Sequence, residues 1–122
     1  MKWSRMELLQ AKDATIEFDE MIRFEPEVFS KMHQIRGLQD VTVSGNVHYE
    51  ASSERVFADL DIEGVMIVPC SITLEDVEYD FHTKSLEVFS FEKTDDEDVH
   101  EVKGDVVELL PVIFQLIVME VP

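Results

Sequence analysis

Four histidines and one cysteine are the residues of this 122-residue chain best suited to metal binding or nucleophilic chemistry. The histidines are His33, His48, His82 and His100, and no two of them have the His-x-x-x-His spacing that places two zinc ligands on one helical face. Cys70 has no local signature of a catalytic nucleophile, and a lone cysteine is more often a small buried hydrophobe. These patterns favour a protein without enzymatic activity.

Cofactor-binding patterns are also missing from the sequence. The four glycines do not cluster as a phosphate-binding loop requires, and no Gly-x-Ser-x-Gly elbow is present. The acidic run from Thr94 to Asp98 lacks the glycine and the closing glutamate of an EF-hand. We therefore expect no cofactor, and we predict that this run is a mobile loop, since its charges repel one another. Its carboxylates are candidate contacts for a partner: Asp95, Asp96, Glu97 and Asp98.

The charge balance narrows the class of partner. Ten Lys and Arg residues stand against 27 Asp and Glu residues, which gives a formal net charge of −17. Nucleic-acid binding depends on basic side chains that neutralise phosphates, and docking on anionic membranes depends on the same charges. The chain is expected to bind no membrane and to favour a basic partner. No export signal or membrane-spanning stretch is evident, so we expect a cytoplasmic protein.

The elements that must position these residues follow from the hydrophobic pattern. Apolar and polar residues alternate over 41–50 and again over 54–64, which predicts a long antiparallel hairpin. Helical signals occur near 4–11, where Ser4 and Glu7 form a capping box, and near 26–36 and 110–120.

Two further strands are predicted near 77–82 and 86–91. Cys70 is expected in the turn or strand end between the second strand of the hairpin and the strand near 77–82, since Pro69 favours the end of a strand. The length suits one domain over 1–122. We therefore predict an α+β fold, with a mostly antiparallel, curved or barrel-like sheet and about three helices.

The last predicted helix is apolar on nearly all sides. One face carries Leu110, Ile113, Phe114, Ile117 and Val121, and a second face carries Leu109, Val112, Leu116 and Met119. If only the first face packs on the sheet, the second is a candidate interaction surface, covered by a partner, a further segment or a second copy in a homodimer. Full burial in the monomer core is the alternative.

A family resemblance rests on the order and spacing of several short motifs. The run Val65 to Leu74 followed by Val77 to Phe81 resembles the central signature of the YceD family, the large ribosomal RNA subunit accumulation proteins of bacteria and plastids. The runs Gly104 to Pro111 and Leu116 to Pro122 are similar to its second half. The opening Met1 to Ser4 is similar to that of members from Gram-positive bacteria.

The family motif includes Cys70, Thr73 and Leu74, and one of these positions departs from the usual pattern. Many family members have Cys-x-x-Cys where this chain has Cys70 and Thr73, so a second thiolate is missing. A closed structural zinc site normally needs four ligands, and we expect no metal within these residues. The family's Cys-bearing C-terminal tail is also expected to be absent.

The resemblance implies a non-enzymatic role in the accumulation or processing of large-subunit ribosomal RNA. The partner it implies is either the RNA precursor itself or a basic ribosomal or assembly protein. Since a charge of −17 opposes RNA contact, RNA binding would need a local basic patch. The candidates are Lys2, Arg5, Lys12, Lys31 and Arg36. Two alternatives remain open: an acidic adaptor for a basic protein unrelated to ribosomes, and a small enzyme that uses Cys70.

Overall fold

A computed structural model describes residues 1–30, 32 and 34–122. Its α-helices are α1 (Arg5–Gln10) and α2 (Leu110–Val118), and two short 3-10 helices cover Lys12–Ala14 and Pro26–Phe29. The strands are β1 (Lys2–Ser4), β2 (Thr15–Ile22), β3 (Gly37–Glu50), β4 (Arg55–Pro69), β5 (Asp76–Ser90), β6 (Val99–Glu101) and β7 (Val106–Glu108).

The strands form one large and one small sheet. The large sheet has the order β2-β3-β4-β5-β6, in which all pairs are antiparallel except β5 with β6. The small sheet joins β1 and β7 antiparallel. Period-two alternation produces the long central strands, because it gives each strand one apolar face. The predicted hairpin is confirmed, and it extends beyond the predicted limits to 37–69.

The core lies against one face of the large sheet. Fully buried side chains on this face include Val43, Val47, Leu60 and Ile62 from β3 and β4. Leu8 from α1, and Ile113 and Ile117 from α2, are completely buried in the same cluster. The two helices and the small sheet therefore cover a single apolar face.

The opposite face of the large sheet is acidic. The strand registers place Glu17 and Asp19 of β2 in rows with Asp59 and Asp61 of β4, and the acids of β5 lie on the same face. We call this surface the acidic face and define it by seven residues: Glu17, Asp19, Asp59, Asp61, Glu63, Glu78 and Asp80. It follows that much of the negative charge is displayed on one side of the sheet.

The predicted fold class, α+β with a barrel-like sheet and about three helices, is wrong. The described chain is mostly β, with about half of its residues in strands and two α-helices. The large sheet is open, because its edge strands β2 and β6 do not pair with each other. Strand length explains the difference: 76–90 forms one continuous strand where the sequence predicted two.

The helix predicted over 26–36 is also wrong. Only Pro26–Phe29 is helical, as a 3-10 turn, and the other described residues up to Arg36 are not. Lys31 and His33 lie outside the described residues. The backbone N–H of Arg36 donates to the carbonyl of Ile67 at 2.7 Å, and Gly37 already pairs with Ile67 in the sheet. The described residues at the end of this segment therefore lead into β3, which begins at Gly37, and do not continue a helix.

The capping box predicted at Ser4 and Glu7 is confirmed. The backbone N–H of Glu7 donates to Ser4 Oγ at 3.1 Å, and the backbone N–H of Ser4 donates to Glu7 Oε1 at 3.4 Å. Both bonds satisfy amides that the first turn of a helix leaves without partners. The box fixes the start of α1, whose Leu8 is fully buried.

Replacing Ser4 with alanine is expected to lower the free energy of unfolding by about 1 kcal/mol, because it removes the cap. Urea denaturation measures the change. Replacing Ser52 with alanine is the control, since its hydroxyl lies in an exposed turn outside any helix. Equal stability of the Ser4 and Ser52 variants would show that the cap does not stabilise the fold.

Candidate functional site

The turn between β4 and β5 contains the family-motif residues. The backbone N–H of Cys70 donates to the carbonyl of Glu75 at 2.8 Å, and that of Leu74 donates to the carbonyl of Cys70 at 2.9 Å. Leu74 has a left-handed φ of 64°, which lets the chain reverse within the six residues 70–75. The predicted position of Cys70, between the two strands, is confirmed.

This turn stabilises the thiolate form of Cys70. The backbone N–H groups of Thr73 and Ile72 and the Thr73 hydroxyl donate to the sulfur and lower the pKa of Cys70 to about 7. Hydrogen bonds to a charged form favour that form. Thr73, which stands where a second cysteine was expected from the family pattern, therefore acts here as a donor to the sulfur.

We expect the rate of Cys70 alkylation by iodoacetamide to rise through pH 7 rather than near the pKa of an ordinary thiol, because the thiolate is the nucleophile. Replacing Thr73 with valine should move this midpoint to higher pH, since the hydroxyl donor is lost. Mass spectrometry of the modified peptide measures the rate. A midpoint unchanged by the substitution would contradict the assigned role of Thr73.

The groups that shift the pKa of the Cys70 thiol are the backbone and hydroxyl donors of its own turn. No group of three or more His, Cys, Asp or Glu residues within the described part of the chain has the geometry to hold a metal ion. Two of the exposed side chains around Cys70 are large and apolar: Ile72 is 89% exposed and Leu74 is 66% exposed. The turn therefore displays apolar surface beside the thiol.

The predicted acidic loop lies between β5 and β6. Its four carboxylates, Asp95, Asp96, Glu97 and Asp98, are all exposed. The backbone N–H of Asp98 donates to Asp96 Oδ1 at 2.9 Å, and that of Asp96 donates to Thr94 Oγ1 at 3.2 Å. These bonds are local turn contacts. The loop does not meet the Cys70 turn in a common site.

The second face of α2 does not form the continuous exposed surface that the sequence suggested. Leu109 and Val112 are buried in the core, and Leu116 is partly buried against it. Met119 alone of the four is exposed, at 79%. Ile113 and Ile117 on the other face are also fully buried, so apolar neighbours cover both faces of the helix. The alternative of burial in the monomer describes this helix better than an interaction face.

One polar cluster was missed by the sequence reasoning. On the core side of β5, Glu87 Oε1 lies 3.2 Å from His100 Nε2, and the Ser85 hydroxyl donates to Glu87 Oε2 at 3.1 Å. The carboxylate stands between the serine and the histidine. Activation of a serine nucleophile requires direct contact between the hydroxyl and the base. The imidazole does not make that contact here. Only the β5–β6 pairing brings these residues together, and no local motif announces it.

The remaining described histidines also have surface partners. His82 Nε2 lies 2.6 Å from Asp61 Oδ1, and Lys84 Nζ lies 3.7 Å from Asp61 Oδ2. His48 Nδ1 lies 2.8 Å from the Thr15 hydroxyl across the β2–β3 pair. Both side chains are exposed on the surface of the large sheet.

The candidate basic patches are partly used in internal contacts. Arg5 lies 3.5 Å from Glu54 and 3.1 Å from Asp105, and its guanidinium stacks over Phe91 at 4.7 Å from the ring centroid. Arg36 Nε lies 3.3 Å from Asp76 Oδ1. An arginine already paired with a carboxylate is a weaker ligand for phosphate.

Taken together, these features define a mostly β protein whose distinguishing surfaces are an acidic sheet face and an exposed hairpin end. No helix among the described residues is long and apolar enough to cross a membrane. The chain is 36% identical over 125 aligned positions to the Bacillus subtilis (strain 168) protein described as "Uncharacterized protein YlbN". The alignment covers 100% of this chain and 71% of YlbN. It belongs to the same family as YlbN. It matches no known family model and no solved structure.

Proposed function

We propose that this protein is a non-enzymatic, cytoplasmic ribosome-assembly factor. It supports the accumulation or processing of large-subunit ribosomal RNA by binding a basic ribosomal or assembly protein. The resemblance of the Val65–Phe81 and Gly104–Pro111 motifs to the YceD family supports the process. The charge distribution supports the kind of partner.

The single observation that carries this proposal is the acidic face. Seven carboxylates lie on one open sheet surface of a chain with a net charge of −17. Near them, the described basic groups include Lys84, which already pairs with Asp61. Such a surface repels phosphate and attracts lysine- and arginine-rich proteins, and ribosomal proteins are of that kind because they must neutralise RNA.

Affinity capture from native lysate tests the function. The tagged protein is incubated at low and moderate salt, with and without nuclease, and the captured RNA and proteins are identified. We expect large-subunit proteins to remain bound after nuclease treatment and to be released as salt rises, because exposed charges are screened beyond about 10 Å at 0.1 M salt.

Two results would contradict the proposal. Release of all ribosomal material by nuclease would show that RNA is the direct partner. Capture of a basic protein without any large-subunit component would instead favour the adaptor unrelated to ribosomes.

A variant with Asp59, Asp61 and Glu63 changed to the corresponding amides is the control for charge, since it keeps the size of each side chain.

A further inference from the structure

The distal end of the β4–β5 hairpin exposes an unpaired strand edge. All ten residues from 71 to 80 are exposed. Strand β6 pairs only with Val88–Ser90 of β5, so within the described residues 76–87 have a strand partner on the β4 side alone. An edge of this kind presents free backbone N–H and C=O groups that can pair with another extended chain.

Two different rows of side chains border this edge. Asp76, Glu78 and Asp80 alternate with Val77 and Tyr79, and alternate residues of a strand point to opposite faces. The three acids therefore lie on the side of the acidic face, and the two apolar residues lie on the core side. Along this edge, acidic side chains therefore project from one face of the sheet and apolar side chains project from the other.

The apolar row is incomplete on its outer side. Val77 and Tyr79 are 45% and 40% exposed. Their partners on β4, Val68 and Met66, are only 8% and 0% exposed. The core thus extends to β4 at this end of the sheet and stops at β5, where a further strand would continue it.

We propose that the Asp76–Phe81 edge of β5 binds an extended segment of a partner protein in which basic and apolar residues alternate. The segment adds a strand to the sheet through backbone hydrogen bonds. Its basic residues face Asp76, Glu78 and Asp80, and its apolar residues cover Val77 and Tyr79. This assignment rests on the basic partner of the proposed function and specifies where and how that partner docks.

Charge and packing favour this occupant over two others. A second copy of the chain paired along the same edge would place Glu78 and Asp80 against identical carboxylates, which is destabilising across strands. The outer edge of β2 is also acidic, but its core-side Phe18 already packs on Trp3, with ring centroids 5.5 Å apart. At the β5 edge, by contrast, the uncovered Val77 and Tyr79 lie beside a row of acids and next to the buried Met66 and Val68 of β4.

The first test uses the purified full chain and a short synthetic peptide in which lysine and valine alternate. Hydrogen exchange measured by mass spectrometry should slow in 76–81 when the peptide is added. A peptide with the same side chains and methylated backbone amides should bind at least about tenfold more weakly, since it cannot donate to the edge. Equal binding of both peptides, or no slowing in 76–81, would overturn the assignment.

A pair of charge reversals provides the second test. Glu78→Lys should weaken binding of the alternating peptide about tenfold, because an attractive cross-strand pair becomes a repulsive one. Glu20→Lys on β2, at an exposed residue outside the acidic face, changes the net charge equally and should leave the affinity within about twofold. Equal weakening by both variants would show that binding follows the general field of the protein and would overturn docking at β5. Circular dichroism verifies that both variants are folded.

Capture from lysate separates this assignment from the proposed function. If the wild-type protein and Glu78→Lys retain large-subunit proteins equally, the β5 edge is not the docking site and the proposed function stands. If the wild-type protein retains no large-subunit protein while the alternating peptide still slows exchange in 76–81, the function fails and the edge assignment stands. Concentration-dependent dimerisation through this edge would favour a second copy and contradict the assignment.

Discussion

Replacing Gly45 with alanine is expected to lower the free energy of unfolding by about 3 kcal/mol or more, because it combines strain with a steric clash. Gly45 lies in the middle of β3 with a φ of +148°, where a side chain is strained. A Cβ atom built there would lie 1.8 Å from the backbone oxygen of Asp59. The clash is with backbone in the central β3–β4 pair, so no side-chain rotation relieves it. Urea denaturation measures the loss.

Gly104→Ala is the matched control. Gly104 also has a positive φ, +80°, but an added Cβ would meet no atom within 4 Å. That substitution should cost only the conformational strain of a left-handed residue, about 1–2 kcal/mol. If the Gly45 variant loses no more stability than the Gly104 variant, the close approach of β3 to β4 at Asp59 is wrong.

Replacing Ile117 with alanine is the second change with a large expected effect. Ile117 of α2 is completely buried, so the substitution removes apolar contacts and leaves a cavity. Substitutions of this kind cost about 2–5 kcal/mol. The loss is expected because α2 is part of the monomer core, and urea denaturation at two protein concentrations measures it.

Met119→Ala in the same segment provides the comparison. Met119 is 79% exposed, and its truncation should change the free energy of unfolding by less than about 0.5 kcal/mol. The unfolding midpoint of both variants should be independent of protein concentration. A midpoint that rises with concentration in the wild-type protein and is lost in Met119→Ala would instead place this helix in a dimer interface.

The elements that the sequence predicts well are those whose periodicity is long and whose partners are local. The 41–50 and 54–64 alternation specifies a hairpin because adjacent strands pair across one short turn. The Ser4–Glu7 box is equally local. The helix predicted over 26–36 is wrong because the helical spacing competes with a backbone hydrogen bond from Arg36 to Ile67, which is distant in sequence. The prediction of a barrel-like sheet is wrong for the same reason, since no local pattern determines whether two edge strands meet.

The same difference between local and distant contacts separates what the sequence predicts about the candidate site from what it does not. The position of Cys70 follows from the apolar strand before it and Pro69 at its end, but the donors that lower its pKa require the folded turn. The helix face of Leu109, Val112, Leu116 and Met119 was ambiguous because periodicity does not reveal how many neighbours a helix has. The uncovered edge of β5 depends on where β6 begins to pair, which the sequence does not encode locally.

Direct titration with isolated large-subunit components is the measurement closest to the central claim. The purified protein is titrated by calorimetry with individual large-subunit proteins and, separately, with large-subunit ribosomal RNA, at low and moderate salt. The acidic face predicts saturable binding to at least one basic large-subunit protein, with affinity falling as salt rises, and no binding to the RNA. Binding to RNA without binding to any of the proteins, or binding to neither, would contradict the account.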